Sequence, residues 1–332
     1  MRLADATAGN DSGEPLLEVR RLVKWFDASG SLFRRAKSHI RAVDGVDLTV
    51  RAGETVAVVG ESGCGKSTLG RTIVGLYRPT SGLVSFNGVD IASCDRVVLR
   101  RIRRDIQFIF QDPFASLDPR MTVGDIIGEP MDIYRTYGGD ERAAAIRELM
   151  ETVGLNPAYA SRYAHEFSGG QRQRIGIARA ISLKPKLVIC DEPVSALDVS
   201  IQAQIINLLM NLKKKFGMAY IFISHDLNVV RHISDSVRVM YLGRFVETAA
   251  KRSLFASPAH PYTKALLSAI PISDPRVKRD KILLPGDIPN PADPPDGCRF
   301  HSRCPVVRDI CRTTPPPLVR ISPGHTAECH LL

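Results

Sequence analysis

The chain has 332 residues, 44% hydrophobic and 24% charged, which is the balance of an ordinary globular protein. No stretch approaches the roughly 18 consecutive apolar residues of a membrane span, and the polar start "MRLADATAGNDSGEP" lacks the apolar run of a signal peptide. The net charge of +10 is dispersed in clusters such as "RRIRR" (100–104), which we interpret as solvated faces, and charge alone identifies no partner. We expect no nucleic-acid partner. We expect a cytosolic protein that only a partner would hold at a membrane.

Strand patterns follow a polar tail predicted at 1–16. Residues 17–50 alternate apolar and polar side chains, a period of two that is typical of β-strands. Continuous apolar runs follow in "ETVAVVG" (54–60), "KLVIC" (186–190) and "AYIFIS" (219–224). Such runs suit strands that are buried on both faces of a parallel sheet.

Helical patterns lie between these strands. In "SIQAQIINLLMNLKKKFG" (200–217) the apolar side chains share one face, with Ser200 as the predicted N-cap and Gly217 as the predicted end. Residues from about 112 to 174 are rich in helical pattern and indicate a helical insertion. The alternation of strands and helices predicts an α/β fold on a mostly parallel sheet.

The composition changes after about residue 251. Of the 22 prolines, 14 lie beyond residue 250, together with four of the seven cysteines. A segment this rich in proline and short of periodic apolar runs predicts a separate C-terminal region, 251–332.

A phosphate-binding motif follows the first buried strand. "GESGCGKST" (60–68) fits G-x-x-x-x-G-K-[ST] and precedes a helical pattern, the context that this motif requires. The glycines let backbone N–H groups surround phosphate oxygens, Lys66 can reach the β- and γ-phosphates, and the Ser67 hydroxyl can bind Mg²⁺. The predicted ATP-binding residues are Gly60, Glu61, Ser62, Gly63, Cys64, Gly65, Lys66, Ser67 and Thr68.

Two acids end the strand in "LVICDEP" (187–193). An apolar run that ends in Asp-Glu is often only a strand leaving the core. Here it follows the phosphate-binding motif at 60–68, the P-loop, by about 130 residues. We therefore predict that Asp191 holds Mg²⁺, directly or through water, and that Glu192 aligns and deprotonates the attacking water.

A second phosphate-facing helix start is suggested by "FSGGQRQRIGIARA" (167–180). Ser168 can cap the helix, and the two glycines let its N-terminus approach a phosphate. A capped helix after a loop is the alternative. Because the chain already holds a P-loop, the pattern predicts a site that another subunit completes.

Taken in order, these motifs resemble the nucleotide-binding subunit of an ABC transporter: GESGCGKS, Gln111 in "FIFQDP", FSGGQ, LVICDEP, SALD (195–198) and His225 in "FISHDL". The resemblance covers about 17–250 and implies a P-loop NTPase (RecA-like) core with a helical ABC subdomain. "HPYTKALLSAIP" (260–271), "LPGDIPNP" and the cysteines after them resemble the C-terminal region of oligopeptide and dipeptide importer ATPases.

The resemblance also implies residue roles within one subunit. Phe26 would pack on the adenine base, with neighbouring Trp25 as a rival and a core position as the alternative for either. Gln111 would touch Mg²⁺ or the attacking water, and His225 would contact the γ-phosphate.

Other roles concern the contact between two subunits. Ser168, Gly169, Gly170 and Gln171 would bind the γ-phosphate of ATP held by the opposite subunit, and Asp198 would line the dimer seam.

The implied function is ATP hydrolysis, with ATP and Mg²⁺ as ligands, driving peptide import. The implied partners are a second ABC ATPase subunit, more often a different one, two transmembrane permease subunits and an extracytoplasmic peptide-binding protein. The chain would then sit on the cytoplasmic face of the cell membrane. Nickel or glutathione import remains open, and a non-transport ABC ATPase acting in DNA repair or on ribosomes is the alternative from another class.

Four cysteines lie close in sequence at Cys298, Cys304, Cys311 and Cys329. A disulfide is disfavoured in a cytosolic chain, and zinc usually prefers tighter cysteine pairs. Four thiolates on looser loops suit a [4Fe–4S] cluster, which the family resemblance also implies. Zinc with His301, His325 or His330, or no metal at all, is the alternative.

Overall fold

The computed structural model describes residues 14–27, 39–112, 116–271 and 281–332. The polar tail predicted at 1–16 lies outside the described residues except for its last three positions.

The elements of the described ranges are numbered here in chain order. The strands are β1 (Leu17–Asp27), β2 (His39–Val50), β3 (Thr55–Val59), β4 (Ser81–Phe86), β5 (Val89–Asp90), β6 (Ile106–Ile109), β7 (Leu187–Asp191), β8 (Ala219–Ser224), β9 (Ser236–Tyr241), β10 (Arg244–Ala250), β11 (Leu318–Ser322) and β12 (His325–Glu328). The α-helices are α1 (Lys66–Ile73), α2 (Arg96–Asp105), α3 (Val123–Tyr134), α4 (Gly139–Thr152), α5 (Gly169–Ile181), α6 (Val199–Phe216), α7 (Leu227–Ile233), α8 (Lys251–Ala256), α9 (Pro261–Ser268) and α10 (Ile310–Thr313). Short 3-10 helices span Pro157–Tyr159, Ala164–Glu166 and His301–Arg303.

The strands form two sheets. The smaller sheet is antiparallel, with the order β2-β1-β4-β5, and the larger has the order β11-β12-β10-β9-β3-β8-β7-β6. From β9 through β6 neighbouring strands of the larger sheet run parallel, and β10, β12 and β11 add antiparallel pairs at one side. This confirms the predicted α/β class with a mostly parallel sheet.

The three apolar runs of the sequence form the centre of the larger sheet. Every residue of β3, β7 and β8 is buried. Alternate side chains enter different clusters, so that Val56 and Val58 pack towards the smaller sheet while Ala57 and Val59 pack towards the helices. Each buried valine contributes about 1.5–3 kcal/mol, so these strands hold the loops at their carboxyl ends firmly.

The helix predicted at 200–217 forms, but it begins earlier than predicted. Asp198, not Ser200, is the N-cap of α6, and its side chain makes no capping hydrogen bond among the described residues. Gly217 ends the helix in the left-handed conformation with φ 66°, as its sequence position indicated. None of the described helices combines the length and the apolar character needed to cross a membrane.

The C-terminal residues join the core sheet. β12 pairs with β10 in the register Glu247↔Ala327, and β11 pairs with β12. Tyr262 of α9 and Phe300 pack against Tyr241, the last residue of β9. The division of the chain at residue 251 stays a prediction.

Candidate functional site

A glycine-containing loop connects β3 to α1 and begins the site. Gly65, the N-cap of α1, has φ 109°, a conformation that side chains rarely adopt. A Cβ atom added there would lie 2.0 Å from the Ala42 carbonyl oxygen of β2. Only glycine therefore lets this loop pass so close to the smaller sheet.

The loop borders a cavity of about 290 Å³. The other walls come from Phe26, from the start of β2, from the turn between β9 and β10, and from Gln111, Glu192 and Pro291. The described lining residues are Phe26, Ile40, Arg41, Ala42, Ser62, Gly63, Cys64, Gly65, Lys66, Ser67, Thr68, Gln111, Glu192, Leu242, Gly243 and Pro291.

The two aromatic candidates for base stacking have different surroundings. Phe26 lines the cavity, makes an edge contact with Tyr77 and lies under the Lys24 ammonium, 4.7 Å from the ring centre. Trp25 instead donates its indole N–H to Asp44 Oδ1 at 3.2 Å. The geometry therefore favours Phe26 over Trp25 as the residue that can meet a bound base.

Lys66 is buried at the base of the loop. Its Nζ donates to the carbonyl oxygens of Gly60 at 2.8 Å and Glu61 at 2.9 Å. The ammonium is thus held on the loop, beside the cavity that the phosphates of a nucleotide would enter.

Ser67 and Asp191 form the metal-binding side of the cavity. The Ser67 hydroxyl donates to Asp191 Oδ1 at 2.8 Å, and the carboxyl is fully buried. Burial raises the pKa of Asp191 above its ordinary value. Asp191 Oδ2 accepts no hydrogen bond from the described residues, and the Arg71 guanidinium lies 4.0 Å away. A buried carboxylate oxygen that accepts no hydrogen bond from the described residues, beside a hydroxyl, fits Mg²⁺.

Two of the three predicted catalytic side chains converge on the carboxylate of the third, Glu192. Gln111 Nε2 donates to Glu192 Oε2 at 3.1 Å, and His225 Nδ1 lies 3.2 Å from the same oxygen. Glu192 itself has φ 46°, an unfavourable conformation held by its N–H bond to the Ile223 carbonyl at 3.0 Å. The strained backbone aims this carboxylate into the cavity, beside the P-loop.

The four residues predicted to bind ATP of the opposite subunit (the signature residues Ser168, Gly169, Gly170 and Gln171) lie at the start of α5 and are not among the described residues that line the cavity. Ser168 is the N-cap, and it exchanges hydrogen bonds with Gln171 in a capping box, as its sequence pattern indicated. A Cβ added at Gly170 would lie 2.6 Å from Ile201 of α6, so α5 and α6 begin side by side. Asp198 precedes α6 at this same place.

The four C-terminal cysteines do not form a metal site as arranged. All seven cysteines are free thiols, and the described residues contain no group of three or more Cys, His, Asp or Glu placed to hold a metal ion. The iron–sulfur prediction is therefore unsupported.

The three histidines considered as zinc ligands each have a hydrogen-bond partner. One ring nitrogen of each histidine faces an oxygen: His301 the Cys298 carbonyl at 2.9 Å, His325 the Glu247 carboxylate at 2.7 Å, and His330 the Thr314 carbonyl at 2.9 Å. The zinc alternative has no better support.

Several residues at the site were missed by sequence reasoning. Pro291 lines the cavity and accepts the Arg41 N–H at 3.0 Å, while Tyr262 and Arg303 contact Glu61 of the P-loop. Arg299 bonds to Asp44 and to the Leu242 carbonyl at the cavity rim. Apart from the Arg299–Leu242 bond, which spans 57 residues, these contacts span about two hundred residues or more, so no local sequence pattern predicts them.

The fold and this site define a P-loop nucleoside triphosphatase. Residues 43–195 match the family model described as ABC transporter, and residues 246–311 match the model of the oligopeptide/dipeptide transporter C-terminal region. The chain is 53% identical to the oligopeptide transport ATP-binding protein AppF of Bacillus subtilis (strain 168), over 98% of this chain and 99% of that protein. The chain belongs to the ATP-binding subunits of ABC transporters, in the branch with this C-terminal region.

Other similarities agree with this assignment. The chain is 51% identical to the probable peptide ABC transporter ATP-binding protein y4tS of Sinorhizobium fredii, over 96% of this chain and 90% of that protein. Among solved structures, it resembles the dimeric ATP-binding cassette MJ0796 in a post-hydrolysis state bound to ADP and Pi. That likeness has a TM-score of 0.63 and 29% identity, and it covers 71% of this chain and 99% of that one.

Proposed function

We propose that the chain hydrolyses ATP to drive import of peptides through transmembrane partner subunits. One observation carries the proposal: the P-loop, Glu192 and Gln111 line one cavity. Asp191 contacts this lining through its hydrogen bond with Ser67, and His225 contacts it through Glu192. The peptide assignment rests on the C-terminal region and on the relatives that carry it.

The proposed chemistry uses groups that are already in place. Lys66 transfers its hydrogen bonds from the loop carbonyls to phosphate oxygens. Glu192 accepts a proton from water as the water oxygen bonds to the γ-phosphorus and the bond from that phosphorus to the bridging oxygen breaks. Gln111 and His225, both against Glu192 Oε2, orient the water and the γ-phosphate. Mg²⁺, when bound, neutralises phosphate charge, and Ser67 with Asp191 are the residues that would hold it.

The position of the signature residues supports a pair of ATPase subunits. Ser168–Gln171 start a helix that packs against α6, whereas the described cavity walls come from other segments. A second subunit would bring its own signature to this cavity, so that two ATP molecules lie between two subunits. We propose a heterodimer on the cytoplasmic face of the membrane, with two permease subunits and an extracytoplasmic peptide-binding protein.

The catalytic part is tested with Glu192→Gln. Loss of the base should lower ATP turnover by about 10²–10⁴-fold, while MgATP binding and the closed pair of subunits persist. The measurements are phosphate release, nucleotide binding and size-exclusion chromatography with ATP. Glu151→Gln, an exposed change on α4, is the matched control and should keep full turnover. Turnover of Glu192→Gln at the wild-type rate would contradict the assignment of the base.

The transport part is tested by its partners. The chain should co-purify with two membrane subunits and a substrate-binding protein, and identification of the bound ligand should give a peptide. Nickel or glutathione as the ligand would move the proposal to another importer class. Recovery of DNA or ribosomes alone would contradict import. The four C-terminal cysteines are not among the described residues that line the cavity, so the proposed mechanism assigns them no step.

A further inference from the structure

The C-terminal region contacts the P-loop at one acidic residue, Glu61. Arg303 Nη1 donates to Glu61 Oε2 at 2.6 Å, and Nη2 donates to Oε1 at 3.1 Å, a bidentate ion pair. The Arg303 side chain is only 8% exposed, so solvent screens this pair much less than a surface salt bridge. The hydrogen bonds to Glu61 raise the pKa of Arg303, which keeps its charge fixed.

The Glu61 backbone is fixed as well. Its N–H donates to the hydroxyl of the fully buried Tyr262 at 2.9 Å, and its carbonyl accepts from Lys66 at 2.9 Å. The N–H of Glu61 therefore points to the C-terminal region and away from the cavity, and the first P-loop residue that lines the cavity is Ser62.

Tyr262 and Arg303, the two residues that hold Glu61, are themselves held by further contacts. Tyr262 and Phe300 pack ring to ring at 5.4 Å, and each also contacts Tyr241 at the end of β9. Arg303 follows Phe300 in a short 3-10 helix and donates its Nε to the Pro285 carbonyl at 3.3 Å.

We propose that Arg303 and Tyr262 are positioning residues for nucleotide binding. Both hold Glu61 on the side of the P-loop that faces away from the cavity, and Arg303 neutralises its carboxylate. An unpaired Glu61 carboxylate beside the cavity would repel the anionic phosphates of ATP, and this repulsion would be screened less than in bulk water. A free Glu61 peptide would also let the following N–H groups turn away from the phosphates that they are to surround. The inference rests on the proposed ATPase function.

A purely structural role makes a different prediction. If the contacts only fasten the C-terminal region, their loss lowers the melting temperature and leaves the affinity of the folded protein for nucleotide unchanged. If they position the P-loop, their loss weakens MgATP binding in the folded protein.

The test uses two variants with matched controls. Arg303→Met removes the ion pair, and Tyr262→Phe removes the hydroxyl while keeping the ring. The control Arg142→Met breaks a bidentate pair with Asp132 between α3 and α4, and Tyr220→Phe removes a buried hydroxyl that donates to the Leu209 carbonyl.

The measurements are the Kd of MgATP, KM and kcat for ATP, and the melting temperature without nucleotide. We expect Kd and KM to rise on the order of tenfold in Arg303→Met and about threefold in Tyr262→Phe, with both controls at wild-type affinity. Adding Glu61→Gln to Arg303→Met should bring Kd back to within about threefold of the wild type, because the unpaired carboxylate is gone.

The outcomes separate the two proposals. Wild-type Kd in both Arg303→Met and Tyr262→Phe, or a double variant no tighter than Arg303→Met, would overturn the positioning role. A wild-type protein that neither binds nor hydrolyses ATP would instead overturn the proposed function.

Discussion

His260 should make the fold sensitive to acid. Its side chain is 1% exposed, and its Nδ1 accepts the Tyr262 N–H at 3.1 Å as the N-cap of α9. Burial, with a smaller contribution from Lys264, lowers its pKa from 6.5 to about 3. A protonated ring would lose this acceptor and place a charge in the aromatic cluster beside Phe300.

The size of the effect follows from linkage. Because the folded pKa lies below the unfolded pKa, the unfolded chain takes up the proton first, and stability falls as the pH falls from about 6.5 towards about 3. At about pH 5 the cost is RT ln(1 + 10^1.5), or about 2 kcal/mol relative to about pH 8.

The assay compares urea unfolding of the wild type and of His260→Asn across this pH range, followed by circular dichroism. Asparagine can cap α9 in the same way but does not titrate. The free-energy difference between the two proteins should shift by about 2 kcal/mol in favour of the variant from about pH 8 to about pH 5. Parallel stability curves would refute the buried, neutral histidine.

Three further predictions concern the P-loop and its metal. Lys66→Ala should remove most MgATP binding in an equilibrium binding assay, and unchanged affinity would count against the P-loop. Gly65→Ala should abolish nucleotide binding or folding, because its Cβ would lie 2.0 Å from the Ala42 carbonyl; a soluble variant with wild-type Kd would contradict this. Asp191→Asn should raise the Mg²⁺ concentration for half-maximal hydrolysis by about tenfold or more, measured by Mg²⁺ titration of phosphate release, and an unchanged midpoint would exclude Asp191 as a magnesium residue.

Local patterns were sufficient to predict the centre of the molecule. β3, β7 and β8 are continuous apolar runs because both faces of the larger sheet are covered, and the P-loop must follow such a strand. The capping box at Ser168 also lies within a few residues of sequence.

The sequence was less informative wherever distant segments meet. Ser200 looked like the cap of α6, but Asp198 takes that place, because the loop before the helix packs against the start of α5. The four cysteines suggested a metal site from their spacing in the sequence, but the described residues contain no group of three or more Cys, His, Asp or Glu placed to hold a metal ion. Arg303 carried no sequence signal at all, since its partner lies 242 residues earlier.

Because 242 residues separate Glu61 from Arg303, the ribosome makes the two partners of this ion pair at different times. A ribosome adds about 5–20 residues per second, so Glu61 leaves the synthesis site about 12–48 s before Arg303 exists. During this interval the nascent P-loop carries an uncompensated carboxylate. If Arg303 positions the P-loop as proposed, the chain reaches its full affinity for nucleotide late in synthesis, after the strands and helices that surround the P-loop have been made.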